Sequence, residues 1–357
     1  MGKRLIQLAI VALVCAALVY SQRAALIERL MANVIPKRML ANTLDELPDG
    51  LHVGLCGAGG PMPAPKASGP CVLVVAGKQL FVVDVGTDSP RNLNRMGFQG
   101  GAVDGVLLTH FHSDHIDGLG ELATVRWATG DYASPLPVYG PPGVEQVVAG
   151  FNAAYAQDFV YRNAHHGDAV TPLASAGLTA KPFVMPQTNT LTTVLSTEDL
   201  VIEALQVNHA PVAPAVGYRF HYKGRSVLIS GDTAKSENLE HFAEGVDLLV
   251  HEALAANIVA LLESAAESTG NSTLAKVMSD IPGYHTSPAE VAEIARDAKV
   301  GHLLYYHIVP PLLLPGQDAL FLNGADDIFQ RYTLGVDGVL LSLPANSSDI
   351  VTVRSGL

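Results

Sequence analysis

The fold is decided by the stretch Leu107-Leu108-Thr109-His110-Phe111-His112-Ser113-Asp114-His115-Ile116-Asp117-Gly118. The apolar, β-branched residues 103–108 predict a buried strand, and the polar run after them predicts the loop that leaves it. His110 and His112 lie two residues apart, so in extended backbone both rings project to one side and can bind one cation. Asp114 and His115 can reach a second cation. Nitrogen and oxygen ligands without thiolate suit zinc, and also manganese or iron.

Residues 109–115 (T-H-F-H-S-D-H) resemble the T-H-x-H-x-D-H signature of the metallo-β-lactamase-fold hydrolases. Two further elements resemble the ribonuclease-Z-like branch of that superfamily. One is Ser230-Gly231-Asp232-Thr233, at the end of a predicted strand. The other is His285-Thr286-Ser287, followed by a predicted helix, a strand and His307. The resemblance covers roughly residues 51–310 and implies an α/β fold, a four-layer αββα sandwich.

The resemblance also implies a metal site and a mechanism. It assigns His110, His112 and His209 to one divalent ion, and Asp114, His115 and His307 to a second, with Asp232 bridging both. Zn²⁺ is the first expectation for both ions, with Mn²⁺ or Fe²⁺ as alternatives. The implied reaction is ester hydrolysis by metal-bound hydroxide, with Asp114 orienting the water and His285 as the general acid.

The segment Tyr161-Arg162-Asn163-Ala164-His165-His166-Gly167-Asp168 is either a hydrated loop or part of a substrate site. Together with residues 55–61 it resembles the zinc-dependent arylsulfatase and small-phosphodiesterase members of the branch. On that interpretation Arg162 neutralises an oxygen of an anionic ester and His166 lies beside the substrate. The expected substrate is therefore a small phosphodiester or aryl sulfate.

The formal charge of −12 disfavours extended nucleic acid as a partner, because an acidic protein repels the phosphate backbone. The short interval from His209 to Asp232 also leaves no room for the long arm of the transfer-RNA maturases in this branch. The alternatives are a lactonase, an RNA-processing phosphodiesterase and a non-catalytic membrane-tethered binding protein. β-Lactam hydrolysis is disfavoured, since lactamases have no equivalent of the His285 element.

The N-terminal residues predict export. Lys3 and Arg4 precede an apolar run, so residues 1–22 are interpreted as a signal peptide or signal-anchor helix that makes a membrane contact. Residues 23–48 form an amphipathic linker interrupted by Pro36, and residues 49–357 form the hydrolase domain. The catalytic portion is then extracytoplasmic, either periplasmic or secreted, or else anchored. There a Cys56–Cys71 bridge can form. The oligomeric state is left open, with a homodimer among the alternatives.

Several local features have structural interpretations. Residues 71–76 and 80–85 predict a hairpin through Gly77-Lys78, after which Asp84 either orients the metal-bearing loop or is a simple turn residue. The glycine run 57–60 predicts a tight loop beside the metal site. His251 is expected to be structural. Ser287 and Glu290 predict a capping box at a helix start.

Overall fold

The computed structural model describes residues 2–40 and 42–357, which form two units, Met1–Thr43 and Leu44–Leu357. In the first unit a single helix, α1 (Gly2–Leu40), contains the segment Arg4–Lys37, which has a window of mean hydropathy 2.1. By length and composition this helix can cross a membrane. The expected interruption at Pro36 is wrong, since the helix continues through it. A proline one turn from a helix end removes little of the hydrogen-bond ladder.

The second unit begins slightly before the predicted boundary at residue 49. A short helix, α2 (Thr43–Glu46), precedes the first strand, and Leu44 and Leu47 are both 8% exposed. These side chains join the apolar cluster under the first sheet. Burial of a leucine contributes about 1.5–3 kcal/mol, which is enough to attach this short segment to the domain.

The first sheet has the strand order β15-β14-β1-β2-β3-β4-β5-β6. The predicted hairpin through Gly77-Lys78 is confirmed as β2 and β3, and the two C-terminal strands close one edge of the sheet. The strand before the loop 109–118, β4, is shorter than the predicted 103–108. The strands are β1 (Gly50–Gly57), β2 (Cys71–Ala76), β3 (Gln79–Val83), β4 (Gly105–Leu107), β5 (Leu136–Gly140), β6 (Leu178–Pro182), β14 (Val339–Pro344) and β15 (Val351–Ser355).

The second sheet has the order β13-β12-β11-β10-β9-β8-β7. The loose alternation of residues 173–205 suggests strands of a second sheet, which holds for β7 and β8 but not for β6. β6 pairs in parallel with β5 after an intervening helix, the usual outcome of a β-α-β crossover. The strands are β7 (Thr192–Ser196), β8 (Leu200–Gln206), β9 (Val216–Tyr222), β10 (Arg225–Ile229), β11 (Leu248–Leu254), β12 (His302–Val309) and β13 (Tyr332–Leu334).

Helices cover the outer faces of both sheets. The capping box at α10 is present, with the Ser287 hydroxyl accepting from Glu290 N–H and the Glu290 carboxylate accepting from Ser287 N–H. The helices of this unit after α2 are α3 (Ser89–Arg95), α4 (Ser113–Ile116), α5 (Leu119–Thr129), α6 (Val144–His166), α7 (Glu237–Ala243), α8 (Ala256–Ser268), α9 (Ser272–Asp280), α10 (Pro288–Asp297), α11 (Gln317–Leu322) and α12 (Ala325–Ile328).

Three apolar clusters separate the layers. The central cluster joins the inner faces of the two sheets and includes Leu51, Phe220 and Leu304, all fully buried. A second cluster lies between the first sheet and α3, α5 and α6, and a third lies between the second sheet and α7, α8 and α10. This is the predicted αββα sandwich.

Strand direction determines where the site forms. β3, β4, β5 and β6 run parallel to one another, as do β10, β11, β12 and β13. Parallel strands bring the loops after their carboxyl ends to one edge of a sheet. Polar residues that follow β4, β8 and β10 meet at this edge with His307, which lies near the end of β12.

Candidate metal centre

The loop after β4 is held rigidly by Asp84. Asp84 follows β3, adopts a left-handed φ of 58°, and accepts from the Thr109 N–H at 2.8 Å and the Thr109 hydroxyl at 2.7 Å. It also pairs with His115 Nδ1 at 2.8 Å. The proton is thereby placed on Nδ1, which leaves the Nε2 lone pair of His115 directed away from Asp84. Of the two interpretations offered for Asp84, the orienting one is confirmed.

The second sheet supplies its ligands from separate strand ends. His209 follows β8, and its Nδ1 lies 3.0 Å from the Tyr284 carbonyl oxygen, so Nε2 is free to face the site. Asp232 follows β10 directly after Gly231, whose φ of 63° is left-handed. A Cβ at Gly231 would lie 2.7 Å from the Val216 carbonyl oxygen, so only glycine fits this turn.

His307 is positioned by an irregularity inside β12. Glu252 of β11 pairs with Tyr306, whereas the next residue, Ala253, pairs with Ile308, so that His307 is an extra, bulged residue. Its φ is 46°, a conformation that costs a non-glycine residue about 1–3 kcal/mol. The bulge directs this imidazole toward Asp114 and Asp232 instead of into the ladder.

The ligand atoms converge in two groups. In the first, His110 Nε2 lies 3.0 Å from His112 Nδ1, and His209 Nε2 lies 3.5 Å from the same His112 atom. In the second, Asp114 Oδ2 lies 3.6 Å from His115 Nε2 and 3.5 Å from His307 Nε2. Within each group the ligand atoms lie within 4.8 Å of one another, a spacing at which one cation can contact them all.

Asp232 lies between the two groups. Its Oδ2 is 3.3 Å from both His115 Nε2 and His307 Nε2. The same atom is 3.9 Å from His110 Nε2 and 4.0 Å from His209 Nε2. A carboxylate in this position can bridge two cations, which is the role predicted for Asp232.

Unpaired buried atoms indicate that these residues fit a pair of cations. Across the described residues, five buried atoms of the predicted metal ligands find no hydrogen-bond partner: Asp114 Oδ2, Asp232 Oδ1, His115 Nε2 and both ring nitrogens of His307. Such atoms cost roughly 1–3 kcal/mol each when unsatisfied, and a bound cation would remove that cost.

For His110, His209 and Asp232 the pKa shifts favour the deprotonated forms that bind metal. For His115 burial is outweighed by the Asp232 and Asp84 carboxylates, which raise its pKa well above the usual range. Burial lowers the pKa of His110 well below its usual range and lowers that of His209, so both rings are neutral. Burial opposes ionisation of Asp232, but the surrounding imidazoles outweigh it and hold the pKa well below its usual range. The donor set is nitrogen and oxygen without thiolate, which suits zinc and also manganese or iron.

His285 has a charged partner of its own. Its Nδ1 lies 3.0 Å from Glu252 Oε1, a fully buried carboxylate that also accepts from the Thr286 and Thr233 N–H groups. Burial disfavours the charged imidazole, but Glu252 outweighs it and raises the pKa of His285 to about 9. Nearby cations would lower this value, since like charges disfavour protonation. Glu252 therefore keeps a proton on His285 near neutral pH.

All seven predicted metal ligands and His285 meet at this edge, whereas Arg162 and His166 have a different setting. The segment predicted as a loop continues helix α6, and both residues lie exposed in its last turns. Arg162 pairs with Asp158 at 2.7 Å, one turn earlier on the same helix. Within the described residues no hydrogen bond or ion pair joins either residue to the metal ligands, and their substrate-binding role stays a prediction.

Glu252 and Tyr284 were missed in the sequence. Glu252 directly follows His251, which was expected to be structural, and both residues are fully buried. Its position beside a structural residue hid its role. The Tyr284 ring lies 5.4 Å from that of His209 and 5.0 Å from that of His285. A carboxylate directly after an apolar strand was the available signal for Glu252, whereas nothing in the local pattern pointed to Tyr284.

Two further expectations about the surroundings are confirmed. The glycine run lies beside the site, because a Cβ at Gly60 would be 2.9 Å from His307 Cε1. The two cysteines of β1 and β2, Cys56 and Cys71, form a disulfide with both residues fully buried.

Comparison with known proteins identifies relatives of the chain. The model of the metallo-beta-lactamase superfamily matches residues 65–312. Ribonuclease Z of Mycobacterium bovis (strain BCG / Pasteur 1173P2) is 35% identical over 270 residues, which cover 75% of this chain and 89% of the relative. Ribonuclease Z of Mycolicibacterium paratuberculosis (strain ATCC BAA-968 / K-10) is 34% identical over 289 residues, 80% of this chain and 96% of the relative.

Solved structures share the fold. Human tRNase Z, short form, has a TM-score of 0.56 at 20% identity, over 82% of this chain and 99% of that one. The metallo-β-lactamase fold protein YhfI from Bacillus subtilis has a TM-score of 0.57 at 21% identity, over 82% and 99% of the two chains. At these identities the likeness extends to the architecture alone.

Proposed function

The chain belongs to the metallo-β-lactamase superfamily and is a metal-dependent hydrolase of ester bonds, and from that premise we propose that it is a dinuclear-metal phosphodiesterase that cleaves RNA. The observation that carries the proposal is the position of Asp232, within 4.0 Å of imidazole nitrogens from both ligand groups. RNA is the first substrate because the relatives with 34–35% identity are named Ribonuclease Z. This reverses the sequence-based preference for small esters, and the relatives give no support for an aryl sulfate substrate.

Two divalent cations, most simply zinc, would supply Lewis acidity and an activated water at neutral pH. Asp232 holds the two groups of ligands together, and Asp114 is the most exposed carboxylate of the site, with 14% of its side chain accessible. From that position Asp114 can accept a hydrogen bond from an incoming water. His285, charged through Glu252, donates a proton to the departing oxygen, which would otherwise leave as an alkoxide.

A small phosphodiester is the second candidate, and a specific observation favours it. Between His209 and Asp232 the chain forms only the β9–β10 hairpin, with Lys223 and Gly224 at its turn. A structured RNA would therefore find no protruding arm in this interval, and the charge of −12 gives no general attraction to phosphate.

A substrate panel separates the candidates. The purified full chain, loaded with zinc or stripped by chelation, is assayed on a 3′-extended precursor transfer RNA, a short unstructured RNA, bis(4-nitrophenyl) phosphate and 4-nitrophenyl sulfate. Zinc-dependent cleavage of either RNA supports the first candidate. Cleavage of the small diester alone supports the second. Zinc-dependent cleavage of the sulfate but of none of the phosphodiesters would contradict both candidates. Activity that survives chelation would also contradict both.

We also propose that the domain works outside the cytoplasm, attached to a membrane by α1. The support is the apolar segment Arg4–Lys37 together with the Cys56–Cys71 disulfide, since structural disulfides persist in oxidising compartments. Fractionation of cells that express the full chain should place it in the membrane pellet. In a Cys15→Ser variant, which removes the free cysteine of α1, Cys56 and Cys71 should be unreactive toward maleimide until reduction. Recovery in the cytosol with Cys56 and Cys71 both free would contradict this localisation.

A further inference from the structure

An apolar cavity of about 430 Å³ lies beside the metal centre. Its walls come from the end of β12 and the segments after β1, β12 and β13, including Ile308, Gly59 and Val336. Gly59 and Ile308 form a parallel bridge, and β13 runs parallel to β12. The three segments therefore leave their strands at the edge of the sandwich that also carries the metal ligands.

The cavity and the metal centre share a wall. Ile308, which lines the cavity, directly follows the metal ligand His307. On the facing segment, Gly59 lines the cavity, and the next residue, Gly60, lies so close to the His307 ring that a Cβ there would be 2.9 Å from Cε1. The cavity and the ring of a metal ligand are thus one residue apart along β12, and the two sites lie side by side.

The chemistry of the walls is aliphatic. Among the described residues that line the cavity there is no aromatic side chain, and Lys66 carries the only charge. Leu313 and Leu314 are 61% and 72% exposed, which leaves apolar surface open to an incoming ligand. Protein sites for single-stranded bases use aromatic stacking, and this cavity offers none. Its volume lies in the usual range for pockets that bind small molecules.

We propose that this cavity binds an alkyl chain carried by the phosphodiester substrate, so that the preferred substrate is an anionic amphiphile. Lys66 favours the negative charge of such a molecule over a neutral ester. The proposal rests on the phosphodiesterase function and sharpens its second candidate. The rim residues Leu313 and Leu314 cover the alkyl chain, which enters the cavity on the side nearest His307.

The test uses 4-nitrophenyl phosphodiesters whose second ester group is methyl, butyl or octyl, with the zinc-loaded full chain. Each buried methylene should raise kcat/KM about threefold to fourfold until the cavity is filled. Leu313→Asp should flatten this dependence on chain length. Leu261→Asp is the matched control, since Leu261 is also 61% exposed but lies on α8 and does not line the cavity.

A second variant and a second measurement test the same cavity assignment. Ala64→Phe places a ring in the cavity and should also abolish the preference for octyl over methyl. Calorimetry should show octyl methylphosphonate binding at least about tenfold tighter than methyl methylphosphonate, and Leu313→Asp should remove that difference.

The outcomes keep the two proposals apart. A flat dependence on chain length, or a dependence equal in Leu313→Asp and Leu261→Asp, would overturn the cavity assignment while hydrolysis of the methyl ester still supported the phosphodiesterase. If none of these small diesters is hydrolysed, the second candidate function fails while cleavage of RNA still tests the first, and calorimetry alone decides whether the cavity takes an alkyl chain.

Discussion

The two halves of the metal centre are constructed differently. The first sheet supplies its ligands from one loop, residues 110–115, which Asp84 fixes through three hydrogen-bond contacts. The second sheet supplies His209, Asp232 and His307 from the ends of three different strands. The first half thus depends on local backbone geometry, whereas the second depends on the register of whole strands. We expect the halves to respond differently to substitution.

The largest effect is expected where the halves meet. Asp232→Ala removes the one carboxylate near both ligand groups, so bound metal should fall below two equivalents. The rate on bis(4-nitrophenyl) phosphate should drop about 10³-fold, since cation stabilisation of the developing charge is worth several kcal/mol. Metal analysis and steady-state kinetics check both. Asp297→Ala, at an exposed carboxylate paired with Arg296, should change neither. Retention of two equivalents with full activity would show that the halves do not share Asp232.

His285→Ala tests whether this residue belongs to the metal set or acts beside it. As a proton donor it should contribute about 10²-fold or more for a poor leaving group such as a ribose oxygen. The loss should be much smaller for 4-nitrophenolate, which departs without a proton. Metal content should stay unchanged. His285 also lies within reach of Asp232 and His307, so loss of a metal equivalent in this variant would make it a ligand instead.

The same contrast explains what could be read from the sequence. The first half could be predicted because three imidazoles and a carboxylate lie within six consecutive residues after an apolar strand. The ligands of the second half were assigned by resemblance, because their meeting depends on strand order and register. The bulge that turns His307 into the site comes from a one-residue offset between β11 and β12, which no local pattern encodes. Likewise, Glu252 becomes visible only when β11 lies beside the His285 segment.

Asp84→Asn tests the first half alone. The amide keeps the shape of the side chain but can no longer hold the Nδ1 proton of His115 as a carboxylate does, so metal affinity should fall about 10–100-fold. Competition with a zinc chelator measures this change. Asp88→Asn is the control, because Asp88 also has a left-handed φ, of 63°, but is exposed and pairs with Arg91. Equal affinities for the two variants would show that Asp84 only stabilises a turn.

Gly60→Ala tests the second half, and its effect should be the smallest. The added methyl would lie 2.7 Å from Val309 Cγ2 and 2.9 Å from His307 Cε1, so the His307 ring and the Val309 side chain must shift. A displacement of a few tenths of an ångström misplaces one ligand without removing it, and a loss of about tenfold in kcat is expected. Gly150→Ala on α6 meets nothing within 4 Å and should leave the rate unchanged while favouring the helix.

Because Gly60 also adjoins the cavity wall, the methyl and octyl diesters should lose activity equally if the effect passes through His307. A loss confined to the octyl ester would instead assign the effect to the cavity and leave the strand-dependent half of the centre unperturbed.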